Sequence, residues 1–196
     1  MAHVFFQARA YAAYEGSVEL AIKALKYQGD RRLVPILGDF LVEAFVRFYG
    51  DDMAVVPVPM HPIKLKRRGF NQSEELARHL SRRTGLRVVM ALKRVSEGSS
   101  QTGYSRDERL ASLSDAFDFN DELFSVGQRS HEGYHARRIG GRGTDRGRKR
   151  PRGEGILGEQ VLLIDDVLTT GGTADACAQI LFEHGAVSVN VLTVAR

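Results

Sequence analysis

The chain has 196 residues, 43% of them apolar and 27% charged, enough for one α/β domain with a sizeable core and marginal for two. No apolar run approaches the ~20 residues needed to cross a bilayer, and one cysteine, Cys177, can form neither an internal disulfide nor a zinc site by itself. The formal charge of +4 is local: residues 121–158 hold nine Lys and Arg against five acids and the remainder is neutral, so the basic pI is no reason to read the whole body as a nucleic-acid binder.

The opening residues, Met1 to Tyr14, lack the basic start and unbroken apolar stretch of a secretory signal. A reduced, cytoplasmic setting is therefore expected. Ser17 opens a helix in which Val18, Ala21, Ile22 and Leu25 fall at i, i+3, i+4 and i+7, and Gly29 ends it. Leu33, Ile36, Leu37, Phe40, Leu41, Ala44, Phe45 and Phe48 form the apolar stripe of a second helix, closed by Gly50. Residues 1–50 thus read as a helical cap or hood beside a domain of residues 51–196.

Met53 to Val58 reads as a buried strand ended by Pro57 and Pro59. Asn71, three residues before Glu74, has the spacing of a capping box and starts a helix that Gly85 stops. Strands are expected at Leu86 to Leu92, Ala116 to Phe119, Val161 to Ile164 and Val187 to Val194, with a helix from Thr173 to His184. Alternation of strand and helix from Met53 onward argues for a mainly parallel, doubly wound α/β sheet. Residues 127–155 contain eight Gly and eight Arg without periodicity. Such a stretch cannot bury enough surface to offset its ordering entropy, and it reads as a disordered basic insertion at about 121–158.

The chemistry concentrates in Val161-Leu-Leu-Ile-Asp165-Asp166-Val-Leu-Thr169-Thr170-Gly171-Gly172-Thr173. An apolar strand delivers two carboxylates at its C-terminal end, a Thr/Gly loop follows, and a helix begins. Ligands of open α/β sheets bind at that edge. Converging backbone N–H groups and the helix N-terminus suit a phosphate dianion. The carboxylates suit sugar hydroxyls or a metal shell. A P-loop is excluded because no Lys follows Gly172, and a dinucleotide fingerprint has no preceding acidic pair.

This run resembles the thirteen-residue signature of type I phosphoribosyltransferases. More narrowly, the chain resembles the ComF (competence protein F, or GntX-like) family. That likeness is carried by Leu25-Lys26-Tyr27-x-Gly29, Val56-Pro57-Val58-Pro59-x-His61-Pro62, Arg68-Gly69-Phe70-Asn71-Gln72-Ser73, Gln101, Arg109, the signature, and Thr193-Val194-Ala195-Arg196. Three departures stand out. The family's four-cysteine zinc ribbon is not in this sequence, so zinc is not expected. The basic insertion is longer than the usual connection. Thr169 stands where purine-specific relatives carry an acid, which speaks against a purine handled in their manner.

The resemblance implies a type I phosphoribosyltransferase-like fold and 5-phosphoribosyl-1-pyrophosphate as ligand. It implies Asp165, Asp166, Thr169, Thr170, Gly171, Gly172 and Thr173 as its binding residues. Pro59, Met60, His61 and Arg68 would face the pyrophosphate. Mg²⁺ would be held through the pyrophosphate, with Asp165 and Asp166 as the nearest protein ligands. Arg94 and Arg109 fall where relatives have a loop that closes over the substrate, in a catalytic role. The implied reaction is displacement of pyrophosphate at the anomeric carbon by a nitrogen nucleophile. A non-catalytic module for DNA uptake or regulation, meeting competence-machinery proteins, is the alternative. A further expectation is that the Arg/Gly insertion contacts single-stranded DNA through phosphate charge. No membrane insertion is expected.

Overall fold

A computed structural model describes residues 3–50, 52–96, 115–121 and 155–196. Gln101, Arg109 and the basic insertion of residues 127–155 lie outside them, apart from the insertion's last residue.

Among the described residues the main sheet has four strands. They are β1 (Gln7–Ala12), β2 (Ala54–Pro57), β5 (Gln160–Val167) and β6 (Ser188–Ala195), in the order β1-β6-β5-β2 with every pair parallel. The α-helices among the described residues are α1 (Gly16–Lys23), α2 (Val34–Phe48), α3 (Pro62–Arg68), α4 (Gln72–Thr84) and α5 (Gly172–Glu183). Strands β3 (Leu92–Arg94) and β4 (Phe117–Phe119) form a separate antiparallel pair. This is the mainly parallel α/β architecture expected, with both faces of the sheet covered.

Strand β5 shows why its sequence is an unbroken apolar run. Leu162 and Ile164 face a core with Ile22, Leu37, Leu41, Leu76 and Leu80 from α1, α2 and α4. Val161 and Leu163 face a second core with Cys177, Leu181, Phe117 and Phe119. A central parallel strand is buried on both sides and has no solvent face to alternate toward. Cys177 is fully buried, as its place on the apolar face of α5 suggests.

Several elements differ from the sequence reading. Gln7–Ala12, where no element is expected, pairs with β6 as an edge strand. Ala8, Ala10 and Ala12 alternate with Gln7, Arg9 and Tyr11, a period of two without the β-branched residues that usually mark strands. The N-terminal fifty residues therefore supply a strand as well as the two expected helices. The strand expected over Leu86 to Leu92 is divided. Val88 bridges Val55 along the open edge of β2, and the chain then leaves the sheet to pair as β3 with β4. The Asn71 cap is present, but as Oδ1 accepting from Ser73 N at 3.1 Å. Glu74 does not complete a capping box, because its carboxylate is engaged by Arg78 one turn on, at 2.8 Å.

Helices α2 and α4 approach closely at Gly38, where a methyl group would overlap the His79 imidazole and come within 3.0 Å of its Cβ. The buried His79 ring is fixed by Asp39, 2.8 Å from Nε2. Alanine normally favours a helix interior over glycine by about 1 kcal/mol. Here the overpacking term, about 1–3 kcal/mol, opposes it and should exceed it. Gly38→Ala is expected to lower stability by about 1 kcal/mol in urea unfolding, the difference between those two terms. Combining it with His79→Ala should recover most of the overpacking loss.

Candidate functional site

The site lies where β5 outruns β2. Pro57, the last residue of β2, is level with Ile164, and Val58 N donates to Ile164 O at 2.9 Å. One residue later on β5, Asp165 emerges beyond the end of its neighbour. Its Oδ1 accepts from Ser73 Oγ at 2.8 Å and from the Asp166 backbone N–H at 2.9 Å. Ser73 is held at the start of α4 by the Asn71 cap, and Asn71 Nδ2 donates to Val58 O at 3.0 Å. The loop after β2 and the start of α4 are thus tied to the carboxylate they surround.

Adjacent strand residues point to opposite faces. Asp166 accordingly turns away from Asp165 and is buried. Lys26 Nζ lies 2.9 Å from its Oδ2, a charge contact without aligned hydrogen-bond geometry. Lys26 sits on a π-helical turn, Ala24–Gln28, that continues α1 and ends at Gly29 with φ +69°. Such turns add a residue to the helical repeat and re-aim the side chains they carry.

Burial and the neighbouring Asp166 charge raise the Asp165 carboxyl well above the usual carboxylate range, against the opposing hydrogen bonds from Ser73 and the Asp166 N–H and the charge of Lys26. Asp165 nevertheless forms part of the cleft wall.

The Thr/Gly loop leads into α5. Gly171 has φ +83°, a conformation that favours glycine, and no side chain caps the helix. Thr169 and Thr170 are exposed and Thr173 is half-buried. A small cavity of about 80 Å³ lies against this loop, lined by Thr169 through Ala174, Val58 and Asp165 among others. Across Gly171 lies the His3 ring, anchored by Asp175 at 2.7 Å, with Val4 N on the same carboxylate at 2.7 Å.

A larger cleft of about 390 Å³ adjoins the small cavity and also has Asp165, Thr169 and Thr173 in its wall. Its walls include Pro59 and Met60 from the loop after β2, Lys64 and Arg68 from α3, Lys26 and Tyr27, Tyr14, Gln72 and Arg94. Arg68 donates to Gln72 Oε1 at 2.5 Å and lies 6.0 Å from the Tyr27 ring centre. Arg94 lies 5.0 Å from the Phe117 ring centre and its Nε donates to Ser96 O at 3.1 Å. Four cations, Lys26, Lys64, Arg68 and Arg94, therefore line one cleft with two carboxylates.

The structure thus brings together Asp165, Asp166, Thr169, Thr173, Pro59, Met60, Arg68 and Arg94 around one cleft, with Thr170, Gly171 and Gly172 at the adjoining small cavity. His61 is placed otherwise. Its Nδ1 accepts from Ile63 N at 3.2 Å and caps α3, and it is not among the residues lining the cleft. Lys26, Tyr27, Gln72 and Ser73 occur in the shared strings, but their spacing alone assigns them no role. Nothing in local spacing says that residue 26 meets residue 166.

No protein-family model matches the chain. It is 28% identical to competence protein F of Haemophilus influenzae over 144 residues, which are 73% of this chain and 50% of that protein. It is 24% identical to competence protein ComFC of Bacillus subtilis over 192 residues, covering 97% of this chain and 64% of the relative. To ComFC of Streptococcus pneumoniae it is 24% identical over 189 residues, covering 96% and 67%. The chain thus spans between half and two thirds of the length of these relatives. Among solved structures, TT1426 from Thermus thermophilus is similar at a TM-score of 0.39 and 19% identity, covering 81% of this chain and 72% of that one.

The raised Asp165 carboxyl has a consequence for stability. Between the ordinary value, 3.8, and its raised folded value, the folded protein keeps a proton that the unfolded chain has released. Stability should fall as pH rises through that window. Asp165→Asn should remove this dependence. Urea midpoints from about pH 4 to pH 8 test it: the stability of the wild type relative to the variant should decline with pH, by at most about 1.4 kcal/mol per unit.

Proposed function

We propose that this chain, a member of the ComF family, binds 5-phosphoribosyl-1-pyrophosphate together with Mg²⁺ at the end of β5 and transfers the phosphoribosyl group to a nitrogen acceptor. The observation that carries this reading is the shape and charge of two spaces meeting at Asp165. One is a small cavity against backbone N–H groups and threonine hydroxyls at the N-terminus of α5. The other is a cleft with four cations. An anion at each end and hydroxyls between them is the chemistry of a phosphorylated sugar carrying a diphosphate.

In this reading Thr169, Thr170, Gly171, Gly172 and Thr173 hold the 5-phosphate. Asp165 accepts from ribose hydroxyls. Pro59, Met60, Lys64 and Arg68 surround the diphosphate, with Arg68 suited to bidentate contact. Among the described residues no group of three or more His, Cys, Asp and Glu is placed to hold a metal, and the acidic pair already has internal partners. The residues present therefore fit a Mg²⁺ carried on the diphosphate rather than one ligated by the protein. When bound, the ion lowers the charge of the departing diphosphate.

The protein contributes position and fixed charge. The bond from C1 to the diphosphate oxygen breaks, the acceptor nitrogen forms its bond to C1, and the proton of that nitrogen passes to solvent. Arg94, which lines the cleft beside Phe117 and Ser96, would join Arg68 in stabilising the leaving charge. Arg109, expected in the same role, lies outside the described residues.

The second reading is a binding module of DNA uptake that has kept the ligand cleft. It is favoured by the names of the relatives, all competence proteins. Single-stranded DNA, met through the Arg/Gly insertion, and proteins of the competence machinery would be its partners. Among the described residues no helix is long and apolar enough to cross a membrane.

Losing the one charge-assisted acceptor that meets the ribose, at about 1.5–3 kcal/mol, should weaken the ligand at least about 10-fold in the Asp165→Asn/Asp166→Asn protein. Titration calorimetry with Mg²⁺ present measures this, and unchanged affinity would refute the site. If the protein is a transferase, Arg94→Ala should lower turnover more than ligand affinity. Absence of pyrophosphate release with every base and amine acceptor tried would favour the binding module instead.

A further inference from the structure

Asp166 presents a question that the proposed ligand does not answer. A carboxylate at the edge of a diphosphate cleft would ordinarily be read as a ligand for a divalent ion. Its side chain is only 3% exposed, however, and its Oδ2 already faces the ammonium of Lys26 at 2.9 Å. That ammonium comes from a different part of the chain, and its side chain is 21% exposed where it reaches the cleft.

The chain geometry is built around this contact. Lys26 occupies the middle of the π-helical turn Ala24–Gln28. The neighbouring Leu25 is fully buried in the core beneath α2 and α4. The backbone is therefore fixed from below while Lys26 reaches toward the end of β5. On the other carboxylate, Oδ1 of Asp165 is taken by Ser73 and by a backbone N–H. An ion approaching the pair would have to displace a positive charge from one carboxylate and compete with two donors on the other.

We propose that Lys26 is a built-in cation that replaces a directly coordinated metal at the acidic pair, so that divalent metal enters the cleft only on the ligand's diphosphate. The second half of this statement rests on the reading of the cleft as a phosphosugar-diphosphate site. The first half does not. Lys26 is then a positioning residue. It neutralises and orients Asp166, leaving Asp165 as the carboxylate that meets the sugar. A lysine suits this role because its charge sits on a compact head at the end of a flexible stem.

The test uses Mn²⁺ alone, without nucleotide or diphosphate, and reads free Mn²⁺ by its paramagnetic resonance signal on the full chain. The wild type should show no Mn²⁺ site that Asp166→Asn abolishes. Lys26→Met should gain one such site, with a Kd on the order of 10⁻³ M or tighter, as for weak carboxylate sites. Adding Asp166→Asn to Lys26→Met should remove it. Lys26→Arg, which keeps the charge, should show none. Lys26→Gln, with no charge and similar length, serves the same purpose as Lys26→Met should the latter fail to fold. An Asp166-dependent Mn²⁺ site in the wild type would overturn the proposal, as would a folded neutral variant without a new site. If the Mn²⁺ results hold but phosphoribosyl pyrophosphate does not bind the wild type, the reading of the cleft fails and the role of Lys26 stands.

Discussion

Two carboxylates side by side at the end of a strand buried on both faces cannot stay there uncompensated. Removing a charge from water costs several kcal/mol unless other groups replace its solvation. In this chain the compensation is divided. Asp165 is served by Ser73 and a backbone N–H, and Asp166 by Lys26. Much of the fold can be understood as the means of bringing these partners together. The π-helical turn after α1 brings Lys26 in, the Asn71 cap fixes Ser73, and the early end of β2 leaves room for both.

The same arrangement separates the roles of two neighbouring acids. The strand geometry that sends Asp165 and Asp166 to opposite faces gives one a pair of hydrogen-bond donors and the other a counter-ion. An acidic pair that looks symmetric in sequence is thus asymmetric in space. The small cavity at the Thr/Gly loop and the cation-lined cleft adjoin at Asp165. Each space suits an anion.

The parts of this site that are legible in sequence are those in which one short segment contains the whole device. Val161 to Thr173 holds the strand, the acids, the glycines and the helix start in one run, and its physics can be read directly. Asn71 announces a helix start by residue type, although Glu74 meets Arg78 rather than the cap. What cannot be read depends on contacts between distant segments. Lys26 and Asp166 are separated by most of the domain, and no periodicity links them. Strand β1 is hidden because alanines alternate along it, and its pairing energy comes from β6 rather than from its own composition. Resemblance assigns His61 to the loop that faces the pyrophosphate, and its side chain also caps α3, a contact that residue type alone does not announce.

The central claim is that one elongated ligand spans both spaces. Calorimetric titration of the wild-type chain at fixed Mg²⁺ addresses it with three ligands: phosphoribosyl pyrophosphate, ribose 5-phosphate and inorganic pyrophosphate. Linking two anchors on one rigid sugar should make the intact molecule bind far more tightly than either fragment. An affinity for the intact molecule no greater than that for pyrophosphate alone would mean that only the cation-lined cleft binds, and would contradict the account.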